Sequence, residues 1–213
     1  MDSRGRLDRI RLARSVRRVT SIARCPWCGT DPLYVAYHDT EWGVPVTDDR
    51  ALFEKLVLDG FQAGLSWITV LKKRSAFVRA FRGFDPVKVA KFGDRDIARL
   101  LADEKIIRSK AKINGAIKNA RAWIDVMEAG GRGAFADLLW QCVDHETIQN
   151  SFRADETIPA ATGESEMMAR TLKEAGFSFC GPTICYAFMQ AVGMTNDHLV
   201  TCPRHRAVAK LAR

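Results

Sequence analysis

Residues 106–128 read IIRSKAKINGAIKNARAWIDVME, and this stretch decides the fold class. Its apolar residues recur at steps of four, three, four and three positions, so they share one face of an α-helix. They are Ile113, Ile117, Ala120, Ile124 and Met127. Gly130 and Gly131 follow, and glycine is a typical end of a helix. The sequence therefore predicts a long amphipathic helix here.

Helical periodicity continues on both sides of this segment. Thr47 or Asp48 can cap a helix that carries Leu52, Phe53 and Leu56 on one face. Further helices are predicted over 65–82, 95–102, 134–143, 165–175 and from 182 to about 192. Residues 33–37 are the single strand candidate, too short for a sheet, and 144–164 form the longest irregular connection. We expect an all-α fold.

Length and composition fit one good-sized globular domain. The chain has 213 residues, of which 47% are hydrophobic, so a substantial core can be buried. No apolar run approaches the roughly 20 residues of a membrane span, and no apolar segment follows the charged start as in a secretion signal. We expect a cytoplasmic protein with reduced cysteines.

Positive charge is concentrated at the N-terminus. The formal net charge is +8, and residues 1–24 supply +6 of it through eight arginines and two aspartates, which leaves about +2 for the body. Residues 1–23 are therefore predicted to be a separate basic arm. Such an arm is either a solvated tail or a short helix formed on contact with a polyanion.

Two cysteines and two histidines have the spacing of metal ligands. His38 follows Cys25 by thirteen positions, and Cys202 follows His198 by four, which places the second pair on one face of a helical turn. Two sulfurs and two imidazoles favour a closed, tetrahedral, structural zinc site. Spacing alone leaves three alternatives open: Cys28 as a replacement ligand, a redox dithiol in the C-x-x-C segment 25–28, or no metal.

Tryptophan and tyrosine residues gather between the first cysteine and residue 67. They are Trp27, Tyr34, Tyr37, Trp42 and Trp67. Such a cluster can stack on a planar, cationic ring, although the same residues are also common in a core. An acid among them, such as Glu41 or Asp59, could accept hydrogen bonds from an exocyclic amine, although most acids are surface charges.

A glycine hairpin, GFSFCGPT at 176–183, separates two predicted helices. Gly176 can end the first helix and Pro182 can begin the second. Backbone N–H groups in such a turn can hold a DNA phosphate, but many helix pairs have a glycine turn without this role.

Several long blocks, in order, resemble the 3-methyladenine DNA glycosylase I family. They are RCPW (24–27), DPLYVAYHDTEWGVP (31–45), LDGFQAGLSWITVLKKR (58–74), FDPVKVAKF (84–92), GFSFCGPTICYAFMQAVG (176–193) and NDH (196–198). The resemblance covers residues 24–202, which is nearly the whole body. It implies an all-α helix-hairpin-helix glycosylase domain at 24–204, followed by a tail at 205–213.

The resemblance also implies one structural zinc ion that joins the first and last segments of the domain. Its ligands would be Cys25, His38, His198 and Cys202. Cys28 would then not be a metal ligand.

Base-binding and DNA-binding positions follow from the same resemblance. The damaged base would be enclosed by Trp27, Tyr37, Trp42 and Trp67. DNA would be held by Leu65, near the gap left by the flipped nucleotide, and by the hairpin residues Gly176, Gly181 and Thr183. The base-reading acid would be Asp59, where the family usually has glutamate. The side chain is one methylene shorter, and a misplacement of about 1 Å can cost on the order of 10²-fold in rate.

The implied activity is excision of 3-methyladenine from double-stranded alkylated DNA. The enzyme would flip the nucleotide, hydrolyse the glycosidic bond and leave an abasic site, with neither a lyase step nor a general-base role for Asp197. We expect a cytoplasmic, bacterial-type monomer that acts at the nucleoid and releases free 3-methyladenine. Two other hypotheses about the function stay open. The protein could be a non-catalytic, zinc-containing binder of damaged DNA or modified base, or a thiol oxidoreductase that uses Cys25 and Cys28.

Overall fold

The computed structural model describes residues 23–212, and it is mostly helical, as the sequence predicts. The predicted arm, apart from residue 23, lies outside the described residues. The α-helices are α1 (Pro32–Thr40), α2 (Asp49–Gln62), α3 (Trp67–Leu71), α4 (Arg74–Ala80), α5 (Pro86–Val89), α6 (Asp94–Ala102), α7 (Lys110–Gly130), α8 (Ala134–Trp140), α9 (Gly163–Glu174), α10 (Pro182–Ala191) and α11 (Pro203–Ala209). Short 3-10 turns cover Pro26–Cys28, Arg82–Phe84 and Gln141–Val143.

The long helix α7 matches the predicted pattern and forms part of the core. It begins at Lys110 rather than at 106, because the Ser109 hydroxyl accepts a hydrogen bond from the Lys112 N–H at 3.4 Å and caps the first turn. Gly131, with φ of 76°, closes the other end. Helices α2, α8 and α5 all pack against α7, and α2 also contacts α10, so α2 lies in the middle of the domain.

Two secondary-structure predictions need correction, one of a strand and one of a helix. Residues 33–37 are not a strand, because they lie in α1, where the Asp31 carboxylate accepts from the N–H groups of Leu33 and Tyr34 and starts the helix. The segment 65–82 is not one helix: α3 ends at Leu71 and α4 begins at Arg74. Val70 and Phe77, on the two sides of the break, are both fully buried.

A short parallel strand pair joins the middle of the chain to its last part. Strand β1 (Ile148–Gln149), which lies inside the connection predicted to be irregular, pairs with β2 (Thr195–Asn196). The predicted boundary between 204 and 205 falls inside α11, whose Val208 is buried, so the helical body continues to Ala209. Within residues 23–212, no helix has both the length and the apolar character of a membrane span.

Candidate functional site

Four buried side chains from the two ends of the chain meet at one point. They are Cys25, His38, His198 and Cys202, whose potential ligand atoms all lie within 4.8 Å of one another. The Cys25 Sγ and the His198 Nδ1 are 3.6 Å apart, and the Cys202 Sγ is 3.6 Å from the His38 Nε2. Bonds of about 2.3 Å to sulfur and 2.0–2.1 Å to nitrogen at tetrahedral angles give S···N edges of about 3.6 Å. Two sulfur–nitrogen distances in the cluster therefore match the edges of a tetrahedral metal site.

Hydrogen bonds outside the cluster orient both imidazole rings. His38 Nδ1 lies 2.8 Å from the Asp39 carboxylate, which also binds the Arg24 guanidinium at 2.8 Å. His198 Nε2 lies 3.1 Å from the carbonyl oxygen of Trp42. With the proton on each outward nitrogen, His38 Nε2 and His198 Nδ1 turn their lone pairs towards the inside of the cluster, as metal-bound histidines do.

The protonation of these groups fits a metal site. Burial lowers the pKa of His198 to about 4, so its ring is neutral and can act as a ligand. Burial raises the pKa of Cys25 to about 12, so the thiolate requires a neighbouring cation to form. Cys28 lies outside the cluster and donates from Sγ to the carbonyl oxygen of Cys25 at 3.1 Å.

A recess of about 180 Å³ opens beside this cluster. Its lining includes all five side chains expected at a base pocket: Trp27, Tyr37, Trp42, Asp59 and Trp67. It also includes Tyr34, which the sequence analysis placed in the aromatic cluster. The remaining lining residues were not assigned to a site by sequence: Lys55, Gln62, Ile158, Ala187, Gln190 and Ala191. The recess is smaller than the roughly 300–1,000 Å³ of drug-sized pockets, which suits a single small ring system.

The aromatic walls of the recess support one another by edge contacts. Trp27 and Trp42 meet with ring centroids 4.9 Å apart at 64°, and Tyr37 meets Trp67 at 5.4 Å. Trp42 also meets the His198 ring at 4.6 Å and 84°. The Cys/His cluster therefore buttresses the wall of the recess directly.

Asp59 is 1% exposed, and its carboxylate is paired on one side only. Its Oδ1 accepts from the Lys55 ammonium one helical turn earlier in α2. Its Oδ2 has no hydrogen-bond partner among residues 23–212. Burial raises the pKa of Asp59, and the Lys55 charge opposes that rise. A buried acceptor oxygen is thus left for a ligand at the recess.

Asp197 is placed as a structural acid. Its Oδ1 accepts from Asn150 at 2.7 Å and from Thr195 at 2.8 Å. Its Oδ2 accepts from the Tyr186 hydroxyl at 2.6 Å and from the Gln190 amide at 2.8 Å. Four donors occupy its lone pairs, so its oxygens are committed to holding α10 and β2 together.

The glycine hairpin joins α9 to α10 and is pinned to α7. Gly176 has φ of 90° and follows α9, and Pro182 begins α10 after Gly181. Asn119 of α7 accepts from the Ser178 N–H at 2.8 Å and donates to the Ser178 carbonyl oxygen at 3.0 Å.

A depression beside the hairpin carries three cations and one acid. They are Lys118, Arg170, Lys173 and Glu166. Gly181 and Thr183 are exposed there, at the start of α10, where the first backbone N–H groups of a helix have no partner within the helix. The hairpin therefore presents an anion-attracting surface.

Leu65 projects from the turn between α2 and α3. It is 42% exposed, and the turn connects Gln62 and Trp67, which both line the recess. Lys112 holds this turn by donating to the carbonyl oxygens of Phe61 at 2.9 Å and Ala63 at 2.6 Å. An apolar side chain thus stands at the rim of the recess on a fixed turn.

Comparisons with known proteins agree on one family. The sequence model of the methyladenine glycosylase family matches residues 27–205. DNA-3-methyladenine glycosylase 1 of Escherichia coli (strain K12) is 50% identical over 179 residues, which cover 84% of this chain and 95% of that protein. DNA-3-methyladenine glycosylase of Haemophilus influenzae is 45% identical over 180 residues, which cover 84% of this chain and 96% of that protein.

The fold comparison agrees with the sequence comparison. A crystal structure of 3-methyladenine DNA glycosylase I superposes with a TM-score of 0.82 at 49% identity, covering 84% of this chain and 98% of the other.

Proposed function

The chain belongs to the methyladenine glycosylase family, and from this membership we propose that it is a DNA-3-methyladenine glycosylase of base excision repair. The observation that carries the proposal is the recess that three tryptophans and Tyr37 line together with Asp59, whose Oδ2 has no hydrogen-bond partner among residues 23–212. Alkylation at N3 leaves adenine cationic, and aromatic faces together with a buried carboxylate attract a cation. The Asp59 Oδ2 would accept from the exocyclic amine of the base.

The damaged nucleotide has to leave the duplex to reach this recess. Leu65, exposed at the rim, fills the gap that the flipped nucleotide leaves. Gly176, Gly181 and Thr183 belong to the hairpin that holds a phosphate, with Lys118, Arg170 and Lys173 adding positive charge. Binding of double-stranded DNA through these contacts is part of the proposal.

Hydrolysis requires little further assistance, since the cationic base is already a good leaving group. Water attacks the sugar carbon and gives up a proton to solvent, and the bonding electrons of the glycosidic bond leave with the base. The base departs neutral, and an abasic site remains. Asp197 takes no part as a base, because its four hydrogen bonds commit both oxygens. Lys55 is held by Asp59 and by the Trp67 ring, so we propose a monofunctional enzyme without a lyase step.

Zinc is the metal that we propose for the Cys/His cluster. The S···N edges, the buried neutral imidazoles and the set of two sulfurs and two nitrogens support a structural, four-coordinate ion. Bound there, it would tie the first segment of the helix-hairpin-helix domain to the last and steady Trp42 behind the base. Residues 1–23 would add a basic arm to this domain. We also propose that the protein is a monomer that acts at the nucleoid in the bacterial cytoplasm.

Chromatography of the bases released from methylated duplex DNA tests the proposal. The purified protein, with its zinc content measured, should release 3-methyladenine and leave the DNA backbone unbroken. Binding to methylated DNA with no base released by a folded, zinc-loaded protein would instead identify a non-catalytic binder of damaged DNA.

A further inference from the structure

The Lys55 side chain lies inside the recess that is proposed to bind a cationic base. Its Nζ pairs with the Asp59 Oδ1 and lies 4.1 Å from the centroid of the Trp67 ring, and the side chain is 13% exposed. It lines the same recess as Trp67 and Asp59. The ammonium therefore lies where a bound base would meet Asp59. A base in the recess would contact Lys55 as well as Asp59.

Lys55 and Asp59 together present one donor and one acceptor side by side. Asp59 leaves Oδ2 unpartnered among the described residues, and a lysine nitrogen that makes one hydrogen bond keeps further N–H groups to donate. Adenine carries the complementary pair on one edge, with N6 as donor and N7 as acceptor. Guanine carries two acceptors there, N7 and O6, so its O6 would face the Asp59 carboxylate.

We propose that Lys55 is a specificity-determining residue that donates a hydrogen bond to N7 of the bound adenine while Asp59 accepts from N6. This inference rests on the proposed function, because it specifies how the same recess reads its base. The pair selects an adenine edge over a guanine edge, since only the adenine edge satisfies both residues at once.

The charge of Lys55 is compatible with a cationic base. Burial lowers the pKa of Lys55, while Asp59 opposes that change. The Asp59 carboxylate offsets the positive charge of Lys55, and the Lys55 nitrogen keeps N–H groups that can donate to N7.

A probe without the N7 acceptor tests the proposal directly. Free 3-methyladenine and its 7-deaza analogue, which has a carbon at position 7, are titrated against the full chain, and quenching of tryptophan fluorescence reports binding. The wild type should bind the analogue about 10-fold more weakly, as expected for loss of one hydrogen bond in a charged pair. Equal affinities for the two compounds would overturn the proposal.

Variants then assign the effect to Lys55. In Lys55→Met the two compounds should bind with equal affinity. Because that variant leaves Asp59 buried without its partner, Lys55→Met/Asp59→Asn provides a second, uncharged background, in which equal affinities are again expected. Lys88→Met, at an exposed position of α5 away from the recess, should keep the wild-type ratio. Retention of the ratio in either Lys55 variant would assign N7 to another donor and overturn the proposal.

Base release from methylated DNA, measured in parallel, separates the two claims. Release of 3-methyladenine by a wild type that binds both compounds equally would refute the Lys55 role and leave the proposed function standing. A wild type that discriminates the analogue through Lys55 but releases no base would support the Lys55 role and refute the enzyme.

Discussion

The Cys202 Sγ lies 3.6 Å from the His38 Nε2, although 164 positions separate the two residues. This contact belongs to the Cys/His cluster that joins the beginning of the described chain to its end. The same cluster reaches the recess through the contact of the His198 ring with Trp42. Metal binding, the closure of the domain and the shape of the base pocket are therefore expected to depend on one another.

Loss of a ligand should release the metal and weaken the fold. We expect one zinc ion per wild-type chain, and almost none in Cys202→Ala. The variant should lose about 3 kcal/mol or more of unfolding free energy, which lowers the Tm by roughly 6–12 °C. Metal analysis and thermal unfolding check both values. Cys28→Ser is the control and should keep its zinc, since Cys28 lies outside the cluster; loss of zinc there would make Cys28 a ligand.

Acidification should weaken base binding through Asp59. Burial raises the pKa of this carboxyl above its ordinary value of 3.8, so the acceptor is present above the raised pKa and is lost as the pH falls through it. Asp59→Asn should bind roughly 10–100-fold more weakly at neutral pH. The affinity of the wild type is divided by the affinity of Asp59→Asn at each pH. Because the free base titrates in the same way in both experiments, its own protonation does not affect this ratio. A ratio already close to 1 at neutral pH would remove Asp59 from base recognition.

Charge removal beside the hairpin should weaken DNA binding without changing the base pocket. Arg170→Ala and Lys173→Ala should each reduce the slope of log affinity against log salt by about 1 for a duplex. Affinity for free 3-methyladenine serves as the internal control and should not change, because neither residue lines the recess. If the slope of log affinity against log salt is unchanged in both variants, the DNA does not bind at this surface.

A close approach of two chain segments should tolerate only glycine at one position. At Gly193, with φ of 74°, an added Cβ would lie 2.4 Å from the Pro45 nitrogen. Gly193→Ala should therefore lower the unfolding free energy by about 1–3 kcal/mol or more. Gly163→Ala, at the start of α9 where the added Cβ meets nothing within 4 Å, should be neutral or slightly stabilising in the same denaturant titration.

Much of the fold could be predicted because it is local. The apolar face of α7, its glycine end and the start of α2 follow from helical periodicity and capping residues, and the structure confirms them. The gathering of Cys25, His38, His198 and Cys202 was implied by resemblance to a known family, since spacing alone left Cys28 as a rival ligand. Ring contacts such as Trp42 with His198 depend on how distant segments meet, which periodicity does not encode.

Other features depended on packing between helices. The hairpin residue Phe179, with φ of 56°, lies so close to Gly115 that a Cβ there would be 2.5 Å from its ring. No local signal marks this contact. Lys55 had a signal, because it precedes Asp59 by four positions in a helix, a spacing at which opposite charges pair. Its position over Trp67 required the tertiary structure, because α3 begins after a turn that periodicity placed inside a single helix.

The most direct test of the central claim is the competition between two lesions in one duplex. Methylated DNA that contains both 3-methyladenine and 7-methylguanine is treated with zinc-loaded protein, and the released bases and strand breaks are followed over time. The account predicts rapid release of 3-methyladenine, retention of 7-methylguanine and no enzyme-dependent nicks. Release of 7-methylguanine at a comparable rate, or no release of either base, would contradict it.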